Sequence, residues 1–167
     1  MAERHGRQSR PSARWSSLSA QALTTAFHSR SAPLTPEGPV RRILIADDEP
    51  AIRDILVECV AQSKHGQNYV VSTASNGLEA LQLVKRDRPD LVLLDHNMPG
   101  MTGLEVLRQI HGIDPGIRVV MITGTMNDGD AAEALKSGAF SYVPKPFDLQ
   151  YIDALIALAL PLTQAKP

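Results

Sequence analysis

Acids and bases that could carry chemistry stand at the ends of apolar runs. Asp47, Asp48 and Glu49 follow Ile43 to Ala46 in ILIADDEP (43–50), and Asp95 follows Leu91 to Leu94 in LVLLDHNMPG (91–100). Thr123 closes a third run in MITGT, and Lys145 follows a fourth in YVPKPF. A carboxylate nucleophile, a hydroxyl and an ammonium beside paired acids form a set suited to phosphoryl transfer. In that reaction the protein places a nucleophile in line and neutralises charge on the equatorial oxygens. Asp95 can attack phosphorus to give an aspartyl phosphate, a recognised class of covalent intermediate. Carboxylates held close together repel, and a shared cation relieves them. Short, hard oxygen ligands with a partly open shell suit Mg²⁺, which keeps several waters and takes only one or two carboxylates.

These residues need a scaffold that brings distant strand ends together. The apolar runs are Ile43 to Ala46, Tyr69 to Thr73, Leu91 to Leu94, Val119 to Ile122 and Ser141 to Val143. Between and after them lie segments of helical period: Ala51 to Gln62, Gly77 to Arg86, Leu104 to Ile110, Asp128 to Lys136 and Leu149 to Leu160. Strands alternating with helices predict an α/β fold, a doubly wound five-stranded parallel sheet with helices on both faces. Continuous rather than alternating apolar runs suit strands buried on both sides. In such a sheet, ligands bind beyond the carboxyl ends of the strands, where strand order reverses. Both acid clusters are delivered to that edge.

With 167 residues, 43% of them hydrophobic, the chain supports one core of ordinary size. No stretch approaches the roughly 20 apolar residues of a membrane-spanning helix, so no membrane span is expected. The single cysteine, Cys59, is expected to be a small core residue in a reducing, cytoplasmic setting. Residues 1–39 carry five arginines against Glu3 and Glu37, a balance of +3, which leaves −4 of the net −1 for the rest. An acidic body is a poor nucleic-acid binder, and no direct nucleic-acid contact is expected. The Ser-, Arg- and Pro-rich residues 1–39 read as a disordered basic extension. The composition also resembles a transit peptide, which Glu3 and the many breakers oppose, and translation beginning nearer Val40 is a third reading. The main domain is expected over 40–162, with a short tail at 163–167.

ADDEP, LLDHNMPGMTG, MITG and YVPKPF, in this order and at these intervals, resemble the receiver domain of two-component response regulators over about residues 41 to 161. The resemblance implies a flavodoxin-like (βα)5 fold with strand order 2-1-3-4-5 and a phosphoryl group accepted on Asp95 from a histidine kinase or phosphotransfer protein. Mg²⁺ would be held by Asp48, Asp95 and the backbone carbonyl of Asn97, with Asp47 acting through water. Thr123 would hydrogen-bond the phosphoryl group, Gly124 would leave room for the phosphodonor, and Lys145 would pair with Asp95 before phosphorylation and with phosphoryl oxygens after it. The Lys145–Pro146 peptide would be cis. Thr123 and Tyr142 would form the switch, and helix 4, strand 5 and helix 5 the output surface. The implied activity is that of a phosphoacceptor signalling protein and not of an enzyme turning over an external substrate. Thr102 stands where the family often has an acid and reads as a helix cap. Thr125 would lie near the phosphate.

Taken singly, Asp47-Asp48 could be a solvated helix cap, Lys145 a surface lysine and Met98-Pro99-Gly100 only a turn. The coincidence of four strand ends favours one constellation. Two alternatives come from other classes. A phosphate-independent receiver-like binding module would lack site residues, and none is missing. A Mg²⁺-dependent phosphohydrolase using an aspartyl phosphate calls for a cap domain and for an acid two residues after the nucleophile. That position is Asn97 after Asp95, or Glu49 if Asp47 were the nucleophile, where DDEPA lacks the hydroxyl residue expected two positions further on. With seven residues after Leu160, a stand-alone receiver that signals by contact is expected. On the last helix, Ile152, Leu155, Ile156 and Ala159 form the inward stripe. Tyr151, Leu158 and Leu162 widen the apolar arc into a candidate surface for a downstream protein or for a second copy in a homodimer.

Overall fold

The computed structural model describes residues 40–63, 68–124 and 128–161. The expectations for residues 1–39, Thr125, Leu162 and 163–167 lie outside these. In chain order the elements are β1 (Arg41–Ala46), α1 (Pro50–Ala61), β2 (Tyr69–Ala74), α2 (Gly77–Asp87) and β3 (Leu91–Asp95). They are followed by α3 (Gly103–Ile113), β4 (Arg118–Thr123), α4 (Asp128–Lys136), β5 (Ser141–Pro144) and α5 (Leu149–Ala159). The strands form one parallel sheet in the order β2-β1-β3-β4-β5, as expected.

The apolar runs work because alternate side chains leave a strand on opposite faces. Ile43 and Ile45 of β1, Leu91 and Leu93 of β3 and Val120 and Ile122 of β4 join one core with Leu56 and Val60 of α1 and Ile152 and Ile156 of α5. Leu44, Val92, Leu94, Val119 and Met121 join the other, with Leu81 and Val84 of α2, Val106, Leu107 and Ile110 of α3 and Ala134 of α4. A residue slip in any central strand would exchange these two sets, so both cores enforce one register.

That register sets the functional edge. Ala46 lies beside Leu94, Asp95 beside Ile122, and Thr123 beside Pro144. The residue after Ala46, the last residue of β3, the last of β4 and the residue after Pro144 therefore emerge at nearly one level.

Strands run beyond their apolar cores into polar residues, because the ladder is made by backbone. Arg41 opens β1 and is buried. Its Nη1 lies 3.3 Å from Asp90 Oδ1, and the backbone N–H of Arg42 donates to Asp90 Oδ2 at 2.9 Å. α3 continues past the apolar period to Ile113, which packs on the core. The expected cap at Thr102 is a full capping box: its hydroxyl accepts from the N–H of Glu105, and the Glu105 carboxylate accepts from the N–H of Thr102 at 2.8 Å.

This cap holds α3 against the end of β3. The N–H of Gly103 donates to the carbonyl of His96 at 2.8 Å. A methyl group at Gly103 would run into the backbone carbonyl of Asp95 and lie 2.9 Å from both His96 Cα and the Met121 methyl. Only glycine lets the helix start so close to the strand that carries Asp95. Gly103→Ala is expected to destabilise the fold by about 3 kcal/mol, at the upper end of ordinary overpacking costs because the obstacle is backbone. Thr102→Ala, which loses only a cap, should cost about 1 kcal/mol. Urea unfolding midpoints of the two variants check the order.

Candidate functional site

Asp47, Asp95 and Thr123 are buried polar residues at the carboxyl edge of the sheet, whereas the other buried polar residue among those described, Arg41, opens β1 at the opposite end. Lys145 joins them. Its Nζ lies 2.9 Å from Asp47 Oδ2, 3.0 Å from Asp95 Oδ1 and 3.2 Å from Glu49 Oε1. An ammonium has three donors, and each meets a carboxylate. The Lys145–Pro146 peptide is cis, as expected. The backbone N–H of Lys145 donates to the carbonyl of Thr123 at 2.6 Å, which fixes the lysine to the end of β4.

The remaining oxygens are held by short local turns. Asp95 Oδ2 accepts the N–H of Asn97 at 2.8 Å, and Asp47 Oδ1 accepts the N–H of Glu49 at 2.9 Å. The carbonyl of Asp47 accepts from Arg53 Nη1 at 2.6 Å. Asp47 is thus engaged at both side-chain oxygens, whereas Asp48 is exposed. One carboxylate oxygen from each of Asp47, Asp48 and Asp95 lies within 4.8 Å of the others. Three hard oxygen donors at that spacing, one of them on an exposed carboxylate, fit a small divalent cation that keeps part of its water.

Burial pushes the Asp95 carboxyl above the usual carboxylate range, and the neighbouring Asp47 charge adds to this. The hydrogen bond and charge of Lys145 and the Asn97 N–H pull it back without cancelling the rise. For Lys145, burial disfavours the ammonium, but its hydrogen bonds to Asp47 and Asp95 together with their charges outweigh burial and hold it above the ordinary lysine value. The site is therefore a charged lysine serving a surplus of acids.

A family model for the response regulator receiver domain matches residues 43–157. The chain belongs to that family. Receiver domains are the phosphoaccepting parts of two-component systems. They bind Mg²⁺ at an acidic pocket and meet histidine kinases and downstream effectors. This receiver is 41% identical over 121 residues to sporulation initiation phosphotransferase F of Bacillus subtilis, covering 72% of this chain and 94% of that one. It is 37% identical to response regulator MprA of Mycobacterium leprae, covering 74% of this chain but 52% of that protein. Among solved structures it resembles a CheY-like receiver domain protein from Methanospirillum hungatei (TM-score 0.67, 29% identity, 72% of this chain and 93% of that one). It also resembles the receiver domain of NtrX from Brucella abortus (TM-score 0.65, 32% identity, 71% and 97%).

Of the residues expected at the site, Asp47, Asp48, Asp95, Thr123 and Lys145 stand at the common edge. Asn97 reaches them through its backbone N–H, which donates to Asp95, and Gly124 is exposed with open space where a side chain would sit. Tyr142 is half-buried against the core shared by α2, α3 and α4. Tyr151 and Leu158 are exposed on α5, at 49% and 66%, whereas Ile152, Leu155, Ile156 and Ala159 are buried as the helical wheel requires. His96 takes no part in the cluster's described hydrogen bonds. The contact of Glu49 with Lys145 lies outside the sequence expectations. Among the described residues, no helix is long and apolar enough to cross a membrane.

The raised Asp95 carboxyl gives a signed pH effect. A group protonated more readily in the folded state adds stability at low pH, and that contribution is lost as pH rises through its folded value. In cation-free buffer, Asp95→Asn should be more stable than the wild type at pH 7, and the gap should shrink as pH falls toward the ordinary carboxylate value. Urea titrations of both proteins at pH 7 and pH 4.5 measure it.

Proposed function

We propose that this receiver takes a phosphoryl group from a histidine kinase or phosphotransfer protein onto Asp95 and signals by contact, as a stand-alone module. The observation that carries the reading is Lys145 Nζ between Asp47 and Asp95, at 2.9 and 3.0 Å, beside a third acid suited to a divalent cation. Near-complete coverage of a phosphotransferase relative supports the single-module reading. The catalytic set in this reading is Asp95 as nucleophile, Lys145 and Thr123. The activity is confined to phosphotransfer onto itself and hydrolysis of its own aspartyl phosphate.

In this scheme an Asp95 carboxylate oxygen attacks the phosphorus of a phosphohistidine. The O–P bond forms as the N–P bond breaks, and the imidazole leaves with the bonding pair and takes a proton. Asp48, Asp95 and the Asn97 carbonyl would hold Mg²⁺, with Asp47 reaching it through water, and the ion would offset charge on the transferring oxygens. Lys145 neutralises one phosphoryl oxygen, and the Thr123 hydroxyl donates to another. Gly124 leaves the approach open. Phosphorylation adds roughly −1.5 to −2 charges, by the figure for phosphorylated hydroxyls. Thr123 moving toward that charge would let Tyr142 turn inward, so the phosphate biases two pre-existing states. The surface of α4, β5 and α5 then presents Tyr151 and Leu158 to a downstream protein. The cell compartment that suits this scheme is the cytoplasm.

Incubation with acetyl phosphate should add one phosphoryl group, about 80 Da by intact mass, only with Mg²⁺ present and only when Asp95 is intact. An adduct on Asp95→Asn, or one formed equally without Mg²⁺, would sink the reading. Mg²⁺ at about 100 times its dissociation constant should stabilise the wild type by about 2.7 kcal/mol, and Asp48→Asn should lose most of that gain in thermal melts. Tyr151→Glu combined with Leu158→Glu should leave phosphorylation intact and abolish phosphate-dependent association with partner or second copy. Unchanged association in analytical ultracentrifugation or pull-down would remove those two residues from the output surface.

A further inference from the structure

Glu49 stands at the N-cap of α1, where an acid ordinarily accepts hydrogen bonds from the first turn. Its side chain makes no such bond. It reaches instead across the sheet edge to Lys145 Nζ at 3.2 Å, completing the three acceptors of that ammonium. The three acceptors are not equivalent. The Asp47 side chain is 2% exposed and the Asp95 side chain 4%, whereas that of Glu49 is 62% exposed. Releasing Asp47 from Lys145 would leave a buried carboxylate with one fewer donor, which is expensive. Releasing Glu49 costs little, because water takes the place of the lysine.

An ammonium whose donors are all engaged must give one up to bind a phosphoryl oxygen. We propose that Glu49 is a positioning residue, the yielding arm that holds Lys145 Nζ at the mouth of the site before phosphorylation and releases it to the incoming phosphoryl group. The inference rests on phosphorylation at Asp95. Glu49 is then a brake on the reaction: the lysine leaves a carboxylate before it meets the phosphate, and the charge of that carboxylate opposes an anionic donor. The backbone of Glu49 does separate work, since its N–H fixes Asp47 Oδ1 and its carbonyl accepts from Ile52 and Arg53. Side-chain variants leave that framework in place.

The test is the initial rate of modification by acetyl phosphate at saturating Mg²⁺, fixed separately for each protein. Glu49→Gln is expected to be about two- to fivefold faster than wild type, the range that an exposed ion pair spans. Glu49→Asp keeps the charge but draws the carboxylate back by one methylene, and it too should exceed the wild-type rate. A purely structural role would not move the second readout, the ¹⁵N and ¹H resonances of the Lys145 ammonium in cation-free protein. These should shift in both variants, with faster proton exchange. Wild-type rates in Glu49→Gln, or acceleration in Glu49→Gln alone with unchanged ammonium resonances in Glu49→Asp, would overturn the hydrogen-bonded arm. If the wild type itself takes no phosphoryl group while a control receiver does, the proposed function falls and the inference with it.

Discussion

Three carboxylates share one ammonium at the carboxyl edge of the sheet, and much of the rest of the molecule sets up that meeting. Asp47, Asp95 and Lys145 come from the ends of β1, β3 and β5, strands that are far apart in the chain and separated in space by a strand width or more. Bringing them within 3.0 Å of one Nζ requires every intervening register to be right. Opposite faces of each strand enter different cores, and this enforces the register more firmly than the ion pairs do. Buried ion pairs add little net stability once desolvation is counted, but breaking one leaves a costly orphan charge. The hydrophobic layers supply the fold energy, and the charged cluster makes wrong registers intolerable.

The same cluster is left short of positive charge. One lysine serves Asp47, Asp95 and Glu49, and Asp48 stands beside them without it. The Asp95 carboxyl is raised chiefly by burial, with the Asp47 charge adding to it, and Lys145 does not cancel the rise. A site arranged this way is complementary to an added cation before any phosphate arrives. It also gives the two adjacent acids different settings, with Asp47 turned inward and accepting a hydrogen bond at each oxygen and Asp48 facing solvent. Two neighbouring residues of the same type thus acquire different chemistry from one alternation of the backbone.

Much of this was legible in the chain because it is written in strand-sized units. Each greasy run marked a strand, and polar residues at or just beyond the ends of four of them marked the functional edge, so Asp47, Asp95, Thr123 and Lys145 could be placed from sequence. Strand and helix ends were less legible. Arg41 and Arg42 belong to β1 by backbone pairing and by their hold on Asp90, which hydrophobicity does not report. α3 outlasts its apolar period through Gly112 to Ile113. Glu49 was least visible. As a type it differs little from Asp48, and only the failure of its side chain to cap α1 frees it to reach a lysine 96 residues away.

The two ends of β5 are held differently, and this bears on how the proposed charge change would travel. At its amino end, the Phe140 N–H donates to the Val119 carbonyl at 2.7 Å, and the Arg118 guanidinium lies 4.9 Å from the Phe140 ring centroid. Just before it, Gly138 adopts φ +95, where the His111 ring leaves no room for a side chain. These contacts anchor the amino end by packing and by backbone. At the carboxyl end, Lys145 answers to the charge of the acid cluster and is tied to Thr123 through its own N–H. β5 has only four residues and pairs with β4 alone. A change of charge in the acid cluster would act directly on the carboxyl end of this strand, where Val143 is buried in the core and the Lys145 backbone is bonded to Thr123. Tyr142, half-buried in the middle of that strand, is where displacement on the site side would meet the packing of the helical face.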